Sequence, residues 1–145
     1  MVVNELIQSI ARAIRKEYQT QHIYTEQIPQ CLKKPCFFIH CISNAEKNAI
    51  DLRFLAQHTF VVNYFPLKGN EECWEVQQKL HRLLEWIALH DGSLIRGTHR
   101  HTEMHEGILY FFVDYDFYMY QEKQPEEYME GLKLYGKTRE IKKGL

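Results

Sequence analysis

The sequence lacks the features that would place it in several large classes of protein. Its 18 basic and 19 acidic residues give a net charge of −1, so no global field would attract nucleic acid or an anionic membrane. No run approaches the roughly 20 apolar residues that span a bilayer, and we expect no signal peptide and no membrane association. No glycine-rich phosphate loop is present. These absences favour a domain that acts through its shape and contacts.

The four cysteines form no recognisable metal-binding pattern. Their spacing lacks the C-x2-C pairs typical of structural zinc sites, which makes such a site the less favoured alternative. We expect reduced thiols in a cytosol, packed as small buried side chains. The four are Cys31, Cys36, Cys41 and Cys73.

One long apolar and aromatic stretch, residues 107–120, organises the prediction of the fold. Side chains along a strand alternate between two faces, so every second residue would form one apolar face against a packed layer. The other face is more polar in its second half and would be free for water, a partner or another subunit. Because the stretch is long for one strand, we expect a bend or bulge near Asp114. The predicted buried face consists of Leu109, Phe111, Val113, Tyr115, Phe117 and Met119.

Two amphipathic helices are predicted at residues 4–19 and 71–89, with Asn4 and Asn70 as their N-terminal caps. The short spacing between the predicted strands favours antiparallel pairing. The predicted fold class is therefore α+β, with a single mixed, largely antiparallel sheet and two amphipathic helices packed on it. The other predicted strands are residues 22–26, 36–42, 50–55, 58–65 and 94–105, with a polar loop at 43–48.

The chain is predicted to consist of one domain and a polar end. A length of 145 residues suits one hydrophobic core, and we assign residues 1–121 to a single α+β domain. Residues 122–145 carry many charges and few apolar residues. We expect them to form a polar C-terminal arm that is flexible or ordered only by a partner.

Two clusters of polar residues could carry chemistry. On an unbroken strand, the histidines and glutamate between positions 99 and 105 would share one face, as ligands of a divalent metal could. Successive side chains on one strand diverge, however, so we favour a solvated or interface surface. Asp114 and Asp116 also share a face and could form part of an acid–base or magnesium site. They lie, however, on the half of the strand expected to be exposed to solvent. The first cluster comprises His99, His101, Glu103 and His105.

A cysteine nucleophile is also disfavoured. Cys36 and Cys41 lie in no known catalytic signature, and His40 would point to the face opposite its neighbour Cys41. The basic residues are scattered, so no nucleic-acid stacking surface is indicated. We therefore predict no catalytic residue, no metal and no cofactor, and a protein that is not an enzyme.

Four segments occur in a characteristic order and spacing. They are residues 35–39 (PCFFI), 63–66 (NYFP), 94–97 (LIRG) and 109–117 (LYFFVDYDF). Together they resemble the phage tail terminator family, found in tailed phages and prophages of Gram-positive bacteria. The likeness covers residues 4–120.

The resemblance implies a small α+β subunit whose copies, expected to be six, form a ring on the head-proximal end of the phage tail tube. Such a ring stops tube polymerisation and prepares head–tail joining. The implied partners are further copies of the chain, the tail-tube protein and head-completion or connector proteins, with DNA only passing through the lumen. The implied location is the host cytoplasm during assembly and then the virion tail. The family brings no catalytic residue.

Within such a ring, we expect the strand at residues 94–105 to provide a subunit contact or part of the lumen surface. The candidate residues are Arg96, His99, Arg100 and His101.

Three alternatives stay open. A head–tail connector, a stopper or another morphogenesis adaptor would contact capsid-vertex proteins and leave tail length unaffected. A small metal-dependent or hydrolytic enzyme would use the histidine cluster or the aspartate pair. A binding module of another class is the third alternative.

Overall fold

The computed structural model describes residues 2–27 and 33–120, which form two helices and a six-stranded sheet. In chain order the elements are α1 (Val2–Arg15), β1 (His22–Tyr24), β2 (Cys36–Asn48), β3 (Arg53–Phe65), α2 (Asn70–Leu83), β4 (Trp86–Ala88), β5 (Leu94–His105) and β6 (Ile108–Tyr120). The strand order is β1-β2-β3-β6-β5-β4, and all neighbours are antiparallel except β1 and β2. The predicted α+β class with a mixed, largely antiparallel sheet is confirmed. None of the helices in the described ranges is long and apolar enough to cross a membrane.

The predicted strand at residues 107–120 is confirmed as β6, which lies at the centre of the sheet beside β3. The side chains of Leu109, Phe111, Val113 and Tyr115 are fully buried, as alternation predicts. Phe117 is only partly buried, because the far end of the strand extends past the main core.

Helix α1 begins at Val2, so the predicted cap at Asn4 is wrong. Val2 and Val3 pack against the core, and this contact extends the helix by one half-turn toward its N-terminus. The helix ends at Arg15, earlier than predicted. Its buried stripe is Leu6, Ser9, Ile10, Ala13 and Ile14.

Helix α2 begins at Asn70, so the predicted cap at this residue is also wrong. The flanking residue is Gly69, which makes no side-chain cap hydrogen bond. The Glu72 carboxylate instead accepts hydrogen bonds from the backbone N–H groups of Leu67 (3.2 Å) and Lys68 (2.7 Å). A side chain inside the first turn therefore ties the helix to the preceding loop.

The predicted helix at residues 71–89 is too long. Helix α2 ends at Leu83, and Trp86–Ala88 forms β4 on the edge of the sheet beside β5. Ile87 fits the helical apolar spacing, but it is buried from a strand instead. The Tyr115 hydroxyl donates a hydrogen bond to the Leu84 carbonyl and so satisfies one acceptor where the helix ends.

The largest difference from the prediction is the length of strands β2 and β3. The polar segment 43–48, predicted as a loop, continues β2, and the two strands predicted at 50–55 and 58–65 are one strand. The pairing runs from Cys36 with Phe65 to Asn48 with Phe54, with one irregularity between Cys41 and Ser43. We call residues 43–48 of β2, 53–58 of β3 and 116–120 of β6 the three-strand extension. All of its β2 residues are exposed.

Two predictions lie outside the described residues. They concern Cys31 and the polar arm at residues 122–145.

Candidate interface on the sheet

Strand β5 carries the predicted contact residues, and a bulge in this strand changes the direction of their side chains. Thr98 pairs with Asp114 and His101 pairs with Phe112, so two residues of β5 lie opposite one residue of β6. His99 occupies the bulge with φ +51°, a left-handed conformation that non-glycine residues adopt rarely. The bulge predicted within the strand 107–120 is therefore wrong: β6 pairs with β3 without a register shift, and the bulge lies on the neighbouring strand β5, opposite Val113.

The histidines of the cluster pair with two separate carboxylates. His99 Nδ1 lies 3.1 Å from Asp114 Oδ2, and His105 Nε2 lies 2.8 Å from Glu103 Oε1. His101 Nε2 is 3.5 Å from the other oxygen of Glu103. Hydrogen bonding from His105, aided by His101, lowers the pKa of the Glu103 carboxyl. The four side chains do share a face, since Asp114 lies on the same face of β6 as Phe112 and Tyr110, which His101 and His105 contact. They are held by two separate carboxylates and do not converge on one point.

The aspartates and cysteines considered as candidate catalytic groups are also engaged in separate contacts. Asp116 Oδ1 accepts a hydrogen bond from the backbone N–H of His58 at 3.2 Å, while Asp114 is occupied by His99. Burial raises the pKa of the Cys36 thiol, and Cys41 donates to the Ser43 carbonyl at 3.4 Å. Across residues 2–27 and 33–120, no group of three or more His, Cys, Asp or Glu side chains could hold a metal ion.

The two arginines of β5 have different environments. Arg96 is 59% exposed at its side chain and lies 3.5 Å from the Glu85 carboxylate. Arg100 is only 22% exposed and donates to the His81 carbonyl at 3.1 Å. Burial and the nearby Arg100 charge lower the pKa of His81. Arg100 therefore joins β5 to the end of α2, whereas the Arg96 side chain is mostly exposed.

Gly97, in the family-like segment at residues 94–97, allows β5 to approach the end of α2 closely. A Cβ at Gly97 would lie 2.5 Å from the Leu84 carbonyl oxygen and 2.8 Å from Val113 Cγ2. The Gly97 N–H donates to the Glu85 carbonyl at 2.6 Å. Only a residue without a side chain lets the strand approach the helix end this closely.

The face of the sheet opposite the helices is rich in aromatic and imidazole rings. His40 stacks on Phe38 at 4.6 Å between centroids, and His101 stacks on Phe112 at the same distance. Beneath them, Asn63 is 5% exposed; its Oδ1 accepts a hydrogen bond from His40 Nε2 at 3.2 Å, and its Nδ2 donates to the Leu109 carbonyl at 3.3 Å. Within residues 2–27 and 33–120 no helix covers this face, which is ordered by its own side chains.

The three-strand extension exposes large apolar side chains. Ile50 is 78% exposed in the connection between β2 and β3, while Tyr118 is 55% and Tyr120 is 75% exposed. The Arg53 guanidinium lies 4.6 Å from the centroid of the Tyr118 ring. Sequence reasoning missed the β2 part of this surface because residues 43–48 are polar, and polar residues predict a loop.

The described surface combines exposed aromatic residues, a sheet face that no described helix covers, and candidate carboxylates that pair with neighbouring groups. The sequence from residue 5 to residue 127 matches the family described as phage tail terminator protein. The chain belongs to the phage tail terminator family. No curated protein matches the sequence.

Membership assigns this terminator a structural role in the phage tail, within a family of structural proteins, and places it in the virion tail. Its partners are other phage tail or head proteins. The resemblance read from the four segments is confirmed, and the matched region includes every described element except the start of α1.

Proposed function

We propose that this terminator caps the head-proximal end of the tail tube as a ring, expected to be a hexamer. The ring ends tube polymerisation and prepares the tail for joining to the head through head-completion or connector proteins. The observation that carries the proposal is the family match over residues 5–127.

The fold supports this role because it leaves surfaces for several partners. One face of the sheet is covered by α1 and α2, while the other face and the three-strand extension present aromatic and polar side chains. A closed ring requires a head-to-tail contact between two different surfaces of each subunit. A net charge of −1 limits repulsion between neighbouring copies.

Within the ring, a subunit contact or the lumen surface is proposed at Arg96, His99 and His101. Their side chains are 59%, 77% and 56% exposed, so they can reach a neighbour or passing DNA. Arg100, at 22%, supports this surface from behind through its bond to the His81 carbonyl.

The test is the solution mass of the purified protein by light scattering, alone and with its tail-tube protein. We expect a closed ring in at least one condition and rings at one end of the tubes in electron micrographs. A monomer that ignores the tube and leaves tube length unchanged would overturn the proposal. Binding to capsid-vertex proteins in that case would support the connector alternative.

A further inference from the structure

Among the described residues, the three-strand extension has a strand edge on each side that no other strand covers. On β2, strand β1 pairs only with Cys36–Phe38, and the described residues supply no strand beside residues 39–48. On β6, strand β5 pairs only as far as Tyr115, and no described strand pairs with residues 116–120 on that side. Such edges are templates for another strand.

The backbone groups at both edges point outward. The Ala49 N–H donates to the Arg53 carbonyl at 2.9 Å, so alternation along β2 turns the N–H and C=O groups of Asn48 and Glu46 away from β3. On the other side, the His58 N–H points across to β6, where His58 pairs with Tyr115. The same alternation turns the groups of residues 116 and 118 away from β3.

We infer that the β2 edge of one copy pairs with the β6 edge of the next copy in the ring. The two edges lie at the same level of the sheet, since Lys47 pairs with Leu55 and Leu55 pairs with Tyr118. Both strands are antiparallel to β3 and therefore run in the same direction. Rotation about the ring axis preserves the component of each strand along that axis, and a sixfold step turns the rest by only about 60°, so the junction is a parallel pair.

Side-chain charge favours joining unlike edges over like edges. Ala45, Gln57 and Asp116 are aligned across the three strands, so Lys47 of β2 and Asp116 of β6 lie on one face. Joining β2 to β6 of a second copy brings these opposite charges together, whereas joining β2 to β2 brings two lysines together. The aliphatic stem of Lys47 would also cover part of Tyr118, which is 55% exposed.

This inference rests on the proposed ring and identifies its contact. Each copy contributes two different edges, so the contact is head-to-tail, and closure leaves no edge of the extension unpaired. This pairing would account for the exposed polar strand at residues 43–48, because its outward-pointing N–H and C=O groups would bond to the neighbouring copy.

The test uses one proline on each edge, Glu46→Pro on β2 and Tyr118→Pro on β6. Proline removes an outward-pointing N–H and blocks an incoming strand, and it is tolerated at a free edge. The matched controls Glu46→Ala and Tyr118→Phe change the side chain and keep the N–H. Assembly is measured by light scattering and native mass spectrometry, under the condition in which the wild-type protein forms its ring.

We expect both controls to form the ring and each proline variant to be monomeric. An equal mixture of the two proline variants should give a heterodimer that grows no further, because each retains the edge that the other lacks. Rings formed by either proline variant would overturn the junction while leaving the proposed function intact. A wild-type protein that forms no ring in any condition would overturn the proposed function itself, and the junction with it.

Hydrogen exchange of the wild-type protein gives a second readout in case a proline variant does not fold. We expect backbone amides at residues 46, 48, 116 and 118 to gain protection when dilute monomer assembles into rings. Amides that are already protected in the monomer would overturn the junction. So would amides that stay unprotected in the ring.

Discussion

The Tyr64 hydroxyl donates a hydrogen bond to the Glu72 carboxylate and so links the central strand β3 to the first turn of α2. Burial raises the pKa of the Tyr64 hydroxyl, and the bond to Glu72 raises it further. Burial alone would raise the pKa of Glu72, but the hydrogen bonds from Tyr64, Lys68 and Leu67 outweigh this and lower it. The carboxylate is therefore held ionised where the family-like segment at residues 63–66 meets the helix.

Tyr64→Phe should cost about 1–2 kcal/mol of unfolding free energy at pH 7, because it removes a hydrogen bond to a charged acceptor. The stability from the lowered pKa of Glu72 is complete above its ordinary value of 4.5 and is lost as the pH falls through the lower folded value. The cost of Tyr64→Phe should therefore shrink at pH 3 in urea unfolding. Tyr115→Phe is the control, since its acceptor is the neutral Leu84 carbonyl. An equal loss for Tyr64→Phe at both pH values would contradict the prediction.

Gly97→Ala should destabilise the fold by about 1–3 kcal/mol, because the new methyl group would collide with the Leu84 carbonyl and Val113. The strand would have to move away from the end of α2, which weakens the bond from the Gly97 N–H to Glu85. Thermal and urea unfolding measure the loss. Leu94→Ala on the same strand is the control, since Leu94 is 63% exposed and should change stability by less than about 0.5 kcal/mol.

His99 should tolerate glycine and reject a β-branched residue. Its φ of +51° costs nothing for glycine but is strained for valine, so His99→Val should lose about 1–2 kcal/mol. His99→Gly loses the contact with Asp114 and relieves the strain, and the two effects should nearly cancel. Unfolding measurements on both variants test the bulge. A valine variant as stable as the glycine variant would mean that β5 runs straight through this position.

Charge reversal should affect the stability of the fold differently at the two arginines of β5. Arg100→Glu should destabilise the fold by at least about 1 kcal/mol, because it breaks the bond to the His81 carbonyl in a half-buried setting. Arg96→Glu should leave the unfolding free energy within about 0.5 kcal/mol, since its pairing with Glu85 is exposed.

The same pair also tests the proposed contact surface. Arg96→Glu should weaken ring assembly or tail joining without unfolding the chain. Intact rings and normal tail joining with Arg96→Glu would remove Arg96 from the proposed surface. Arg96→Lys, which keeps the charge, serves as the assembly control.

The sequence was most informative where one face of a strand is buried. Alternation along β6 predicted the burial of Leu109, Phe111, Val113 and Tyr115, because each second side chain enters the same core. The amphipathic character of α1 was also predictable. The end of α2 was not, since Ile87 keeps the helical spacing while being buried from a strand.

The candidate surface was less predictable for two physical reasons. Residues 43–48 are exposed on both faces, so no apolar periodicity marks them as a strand. The bulge rests on a histidine in a conformation usually taken by glycine, and its sequence gives no sign of it. That one extra residue turned Arg100 toward α2 and set His99 against Asp114.

The unlike edges of the three-strand extension bear on how tail growth is stopped. If copies join β2 to β6, every subunit has the same orientation along the ring axis, and the two rims of the ring present different residues. One rim can match the last layer of tube subunits while the opposite rim offers no such match. Joining like edges would relate the copies by a two-fold axis and give an assembly with equivalent ends, which could accept a tube on either side. A three-strand extension bounded by two different edges, β2 and β6, therefore favours a terminator whose two rims are not interchangeable.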